Sequence, residues 1–267
     1  MAWGIWLRRL AWRIVKLRDL LRAIGWHFVH RRGDRKPLFL DIGARGGAGA
    51  KWDALRRLGI VDICLVEPEA EAAKALALHY PGIDILADPL GAVDGQHVRL
   101  HIGADAGVSS ILEPNSAVVD RYSFASAFEI VGHSALVLRR FDALVAEGRA
   151  RAPDFVKIDV QGMEFDVLQG FGKVLDRVLA IELEVQFEQL YRDQKLFGDV
   201  YALLLARGFG LLAIRPQSNF DEFNISEANL FFARDTRTLA DPERRMLEMW
   251  RRLKRIPTSI DYTLATG

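Results

Sequence analysis

The sequence has almost no cysteine: Cys64 stands alone in 267 residues, inside the apolar run Ile63 to Val66. No disulfide can form within the chain, and a reducing compartment fits. No window of 18 or more apolar residues is free of charge, which argues against a transmembrane helix. Arg8, Arg9, Arg13, Lys16 and Arg18 break up the apolar stretch that a signal peptide would need. The expected location is therefore the cytoplasm, with or without peripheral contact at the inner membrane surface. Internal repeats and low-complexity tracts are also missing. No His, Cys and carboxylate cluster has metal-ligand spacing, so no structural zinc is expected. Strong net charge is lacking too, at +1, but the balance is uneven: residues 1 to 36 carry +8, leaving −7 for the rest. That excludes the main body as a nucleic-acid binder by charge.

What is present is a chain half apolar, long enough for one enlarged domain or one domain with appendages. Trp3, Leu7, Leu10, Ile14, Leu17, Leu21, Ile24 and Phe28 recur three and four apart, the stripe of a long amphipathic helix. With Trp6, Trp12, Trp26 and the flanking arginines, residues 3–28 suit a membrane surface, a coiled-coil contact within a homo-oligomer, or packing on the protein's own core. From Pro37 onward, strand and helix patterns alternate: Leu38 to Ile42, Ala50 to Leu58, Val61 to Val66, Ala70 to His79, Ile83 to Leu86. This rhythm predicts an α/β fold, a mostly parallel sheet with helices on both faces. It breaks between residues 92 and 140, where a hairpin or insertion near Val98 to Ile102 and a loop at Gly107 to Asn115 are expected. It resumes with Phe141 to Ala146, strands at Val178 to Phe187, Gly210 to Ile214 and Asn229 to Ala233, and a helix at Gly198 to Arg207. Asp241 to Ile256 reads as a final helix with Leu247, Trp250 and Leu253 on its apolar side. Three regions follow: a basic helical extension over 1–36, a main domain over 37–235, and a basic helix and tail over 236–267.

Leu38 to Gly49 places a glycine-rich turn between a strand and a helix, a geometry that brings backbone close to a nucleotide cofactor. Gly43, Gly47 and Gly49 also satisfy a dinucleotide spacing, and Tyr191 with Lys195 matches the Tyr-x-x-x-Lys pair of short-chain reductases. Asp41 weighs against that reading, because a carboxylate at the mouth of the turn repels a pyrophosphate but can bind the ammonium of a methionine moiety. S-adenosylmethionine is thus favoured over NAD(P). Glu67, ending the second strand, can accept from ribose hydroxyls of either cofactor. Tyr191 and Lys195 are separated by a loop-like Arg192-Asp193-Gln194, where a reductase would need a helix.

The segment Lys157-Ile158-Asp159-Val160-Gln161-Gly162-Met163-Glu164, followed by Val167-Leu168-Gln169-Gly170, resembles the signature of the FkbM family of S-adenosylmethionine-dependent methyltransferases. In order, Asp41-Ile42-Gly43-Ala44, Val66-Glu67-Pro68, Ser109-Ser110-Ile111-Leu112 and Phe141-Asp142-Ala143-Leu144 are similar to its other motifs, over roughly residues 38 to 233. The resemblance implies a Rossmann-like class I methyltransferase fold with one antiparallel strand. It also implies methyl transfer, most often to a hydroxyl of a sugar, glycolipid or secondary metabolite. Two residues depart from it: Arg45 stands where Asn is common, and Gln161 where Glu is commoner.

For a hydroxyl acceptor the enzyme must align the acceptor and remove its proton. Asp159 is the first candidate, as base, acceptor orienter or ligand to the cofactor's amino group; the alternative is a helix cap. Lys157 shares a strand face with Asp159 and can pair with an acid on the neighbouring strand, for which Glu182 and Glu184 are candidates. The catalytic candidates are therefore Asp159, Lys157 and Glu184, and the cofactor candidates Asp41, Gly43, Ala44, Gly46, Glu67 and Asp159. No resident metal is expected, although Asp159 and Glu184 leave a magnesium shared with substrate open. Glu164 reads as support for the first turn of its helix, and His133, in a loop-like segment, as either a base or an incidental histidine. The expected partner is a small-molecule or glycan acceptor. An NAD(P)-dependent reductase and a non-catalytic membrane- or partner-binding protein are the competing readings.

Overall fold

The structure, a computed structural model, describes residues 35–217 and 225–257 together with Leu21, Ile24 and Gly25. The long helical stripe predicted for residues 3–28 otherwise lies outside the described residues. Ile24 packs against the protein's own core.

Strand formation follows the apolar runs. β1 (Leu38–Ile42), β2 (Asp62–Val66), β3 (Asp84–Leu86), β6 (Phe155–Ile158), β7 (Ala180–Gln186), β8 (Phe209–Pro216) and β9 (Glu227–Arg234) form one sheet in the order β3-β2-β1-β6-β7-β9-β8. β9 runs antiparallel to both of its neighbours, and the pairs among β3, β2, β1, β6 and β7 are all parallel. This is the mostly parallel sheet with one antiparallel member that was expected. β4 (His97–Gly103) and β5 (Ile130–Val137) form a separate antiparallel ladder. His133, expected in a loop, lies on β5 with its ring 5.0 Å from that of His101. Alternating apolar residues there are too sparse to read as a strand; the ladder itself provides the order.

Alternation sends odd and even positions to opposite faces. Leu40, Ile42, Val156, Ile158, Ile181 and Leu183 face α4 (Phe141–Ala146), α5 (Glu164–Gly170) and α6 (Phe197–Ala206) through Leu144, Val167, Leu168, Val200 and Leu204. Phe39, Phe155 and Phe231 face α1 (Ala50–Arg57), α2 (Ala70–His79) and α7 (Asp241–Lys254). Trp52 of α1 stacks on Phe39 at 3.9 Å, and Trp250 of α7 stacks on Phe155 at 6.3 Å. Met246, Leu247, Met249, Trp250 and Leu253 are all buried, so the apolar side of α7 closes the second core. Pro242 starts that helix and Arg255, in the left-handed region, ends it.

Residues 104–129 form the link between β4 and β5 and include α3 (Ser116–Val119). Tyr122 and Phe128 are buried there beside Leu190 and Tyr191. The Ser110 hydroxyl donates to the Gln161 carbonyl at 2.7 Å, and the Asn115 N–H donates to the Leu190 carbonyl at 2.8 Å. The link is thereby held beside the segments that follow β6 and β7.

Candidate active site

The chain leaves β1 toward β2 and β3 on one side, then returns to β6 and β7 on the other. The crevice at the carboxyl ends of β1 and β6 is therefore the topological switch point, where open α/β sheets bind ligands. Asp41 on β1 and Lys157 on β6 are register partners there. Both belong to the face of Phe39 and Phe155, one step beyond the aromatic packing, so apolar strands carry charge where the covering helices stop.

Lys157 Nζ lies 3.5 Å from Asp41 Oδ1 and 3.3 Å from Asp159 Oδ2. The acid on the neighbouring strand that pairs with Lys157 is thus Asp41, not Glu182 or Glu184. Glu182, although in register with Lys157, pairs with Lys254 of α7. Asp41 is 3% exposed, and its Oδ1 accepts no hydrogen bond despite the nearby ammonium. Burial pushes its carboxyl up to about 6, an effect that Lys157 partly offsets. For Lys157 burial opposes the charge most strongly, but Asp41, Asp159 and Glu182 together outweigh it and hold its pKa above the ordinary lysine value.

Asp159 follows β6 directly and is not the cap of α5, whose N-terminal flank is Met163 with no side-chain cap bond. Its other oxygen accepts from Gln161 Nε2 at 3.0 Å. Gln161, with φ 53°, turns its backbone carbonyl to Ser110 and its side-chain oxygen to the Tyr191 hydroxyl at 3.0 Å. The buried Tyr191 hydroxyl also lies 2.8 Å from the Val108 carbonyl, so its one proton is shared between the two oxygens. Residues 191–194 form a turn, as the loop-like reading of Arg192-Asp193-Gln194 anticipated. Glu164 is buried and accepts from the Val160 and Gly162 N–H groups, at 3.0 and 3.1 Å, so it clamps the 160–162 loop. Burial pushes its carboxyl up to about 8 against those bonds.

The glycine turn is built for close packing. Gly43 has φ 81°, and a Cβ there would run into the Asp159 carbonyl oxygen. Gly47, φ 78°, passes against the Tyr80 ring in the same way. The Gly43 and Ala44 N–H groups both donate to the Val66 carbonyl, at 3.1 and 3.0 Å. Those amides tie β1 to β2, and what the turn offers a ligand is bare backbone surface. Gly46 is exposed at its tip, and the half-exposed Arg45 lies 3.9 Å from Glu69. Glu67 is 5% exposed at the end of β2; its Oε1 accepts from the Glu69 N–H at 3.0 Å. Burial raises its pKa above the ordinary glutamate value.

Glu184, further along the same face of β7, accepts from Gln217 Nε2 at 2.9 Å. Burial, then Asp159 and Glu227, push it up to about 8. The structure thus brings Asp41, Lys157 and Asp159 into direct contact, while Glu184 stands beside Glu227 and Gln217. Gln161, Ser110 and Tyr191 support the cluster, and sequence reasoning gave none of the three this role. The pattern around Ser109 and Ser110 was the one available signal. Among the described residues no three His, Cys, Asp or Glu side chains are grouped to hold a metal ion, and no helix is long and apolar enough to cross a membrane.

The donor set fits S-adenosylmethionine: an orphaned buried acceptor at the turn, side-chain-free backbone next to it, and a carboxylate at the end of β2. A family model described as the methyltransferase FkbM domain matches residues 41–211. No curated protein matches the chain. Among solved structures, human methyltransferase-like protein 13 in complex with SAH is 16% identical, with 94% of this chain and 95% of that chain covered and a TM-score of 0.40. Magnesium protoporphyrin IX methyltransferase from Synechocystis PCC 6803, with bound SAM, is 9% identical over 85% and 81%, TM-score 0.39. The N-methyltransferase NodS from Bradyrhizobium japonicum WM9 is 10% identical over 80% and 94%, TM-score 0.38. Likenesses this distant carry no argument about acceptor or mechanism.

Proposed function

Since the chain belongs to the FkbM methyltransferase family and uses S-adenosylmethionine, we propose that it methylates a hydroxyl oxygen of a sugar, glycolipid or secondary metabolite. The observation that carries this reading is the Lys157 ammonium set between Asp41 and Asp159 at the switch point, with Asp41 Oδ1 left without a hydrogen bond.

Asp41 accepts from the cofactor's ammonium, Glu67 from its ribose hydroxyls, and the turn from Gly43 to Gly46 lies along it. When bound, S-adenosylmethionine supplies an electrophilic methyl carbon on a sulfonium centre. Asp159, with its side chain 32% exposed and its two oxygens held by Lys157 and Gln161, faces the crevice as the group that takes the acceptor's hydroxyl proton. Lys157 fixes the direction of that carboxylate and offsets one of the two negative charges around it, leaving the other for the cofactor's ammonium. Glu184, whose carboxyl is pushed up by burial, Asp159 and Glu227, shares a proton with Glu227 and stands beside the crevice as a positioning group instead of a base. The link over residues 104–129, anchored through Ser110, forms the acceptor side. The +8 charge of residues 1–36 supports an acceptor presented at an anionic surface.

The test is incubation with methyl-deuterated S-adenosylmethionine and a panel of sugars, glycolipids and matched amines, with the products assigned by mass and NMR. An O-CD3 group on a hydroxylated acceptor is expected, and Asp159→Asn should lose turnover while still binding S-adenosylhomocysteine. Methylation confined to nitrogen or carbon, or wild-type turnover in Asp159→Asn, would sink the reading.

A further inference from the structure

Lys157 has a third carboxylate beside it. Glu182 is its register partner on β7, and side chains in register on a parallel pair stand side by side on one face. Yet the ammonium lies with Asp41 and Asp159, because the Glu182 carboxylate is taken by Lys254 at the end of α7. That helix end is held from three sides. Lys51 Nζ donates to the Leu253 carbonyl at 3.1 Å, Arg215 donates to the Lys254 carbonyl, and Lys254 Nζ stands 5.7 Å from the centre of the Trp52 ring. The side chains of Lys254 and Glu182 are only 16% and 14% exposed. A carboxylate in such surroundings is costly without a cation. Deprived of Lys254, Glu182 would draw on the cations whose charge it already feels, Arg215 and its register partner Lys157, and only Lys157 is shared with the site.

We propose that Lys254 and Glu182 are positioning residues for the cofactor site: by occupying Glu182, Lys254 leaves Lys157 to Asp41 and Asp159. Lys254 lies outside the segment 41–211 that the family model matches, so α7 contributes to a site it does not line. Among the charges that act on Asp41 are Lys157, Glu182, Lys254 and Asp159, so both members of this pair reach the site. The inference rests on the reading of Asp41 as the cofactor's ammonium acceptor.

The experiment measures S-adenosylhomocysteine binding by calorimetry on the full chain for Lys254→Met, Lys254→Arg, the double variant Glu182→Gln/Lys254→Met, and Asp41→Asn as control. Methionine keeps the stem over Trp52 while removing the charge. Affinity is expected to fall about tenfold in Lys254→Met, a coupling of ordinary size for contacting charges. It should return to within about threefold of wild type in the arginine and double variants. A merely structural role would lower the unfolding midpoint of Lys254→Met and leave the affinity of the folded protein at the wild-type value. Wild-type affinity in Lys254→Met, or a double variant as weak as the single one, overturns the proposal. Should Lys254→Met fail to fold, the double variant decides, since it leaves no buried charge unpaired: a tenfold loss there overturns the proposal as well. Unchanged affinity in Asp41→Asn would overturn the cofactor-site reading and this inference with it, whereas loss there with no effect in Lys254→Met overturns this inference alone.

Discussion

With Asp41 as the proposed acceptor of the cofactor's ammonium, cofactor binding should depend on pH. Its carboxyl, pushed up to about 6 by burial, titrates inside an accessible range, and only the ionised form can pair with a cationic ammonium. The sign follows: affinity is present above the pKa of the free protein and is lost as pH falls through it. At pH 7 about nine-tenths of Asp41 is ionised and at pH 5 about one-tenth, so affinity for S-adenosylhomocysteine should drop about tenfold, or about 1.4 kcal/mol. Asp41→Asn cannot ionise. It should bind more weakly at pH 7 by about 1.5–3 kcal/mol, the range for a hydrogen bond to a charged group, and its affinity should be flat from pH 5 to 7. Calorimetric titrations at pH 5, 6 and 7 on both proteins measure this directly. Wild-type affinity that does not change across that range, or an Asp41→Asn variant that keeps the same slope, would refute the assignment of the ammonium to Asp41.

Other perturbations test the scaffold. The raised carboxyl of Asp41 also means that the folded state holds its proton more tightly than the unfolded state, from an ordinary value of 3.8. Unfolding free energy relative to Asp41→Asn should therefore decline as pH rises from 4 to 7, by about 2.4 kcal/mol, as read by urea titration at each pH. Gly43→Ala forces a Cβ into the Asp159 carbonyl at a positive φ, and a cost of about 3 kcal/mol or more in chemical denaturation is expected. Trp250→Ala empties the space between Phe155 and Phe231 and should cost about 3–5 kcal/mol, seen as a lowered Tm.

Much of this architecture is legible in the residues because burial on two faces writes long apolar runs into parallel strands. Leu38 to Ile42 and Ala70 to His79 are found as read. Asp41 and Lys157 stand out for the same reason, as charges in strands that have no solvated side. What the residues do not carry is pairing between strands. Lys157 has acids on both flanking strands, and periodicity cannot say that Lys254, 97 residues further on, removes Glu182 from the competition. The supporting side chains were hidden for a similar reason. Gln161 reads as a weakened acid until Ser110 and Tyr191 are brought to it from distant parts of the chain, and β5 has too mixed a pattern to be seen apart from its partner β4.

The ladder of β4 and β5 is a sheet of its own, and the link it carries meets the main body at the segments after β6 and β7, through Ser110 to Gln161, Asn115 to Leu190 and the packing of Tyr122 and Phe128 beside Leu190 and Tyr191. On the proposed reading, cofactor chemistry and acceptor choice reside in different pieces of the chain that meet along one seam. A piece so attached can be exchanged without rebuilding the parallel sheet. Transplanting residues 97–137 between relatives should carry acceptor preference with it and leave the affinity for S-adenosylhomocysteine where it was.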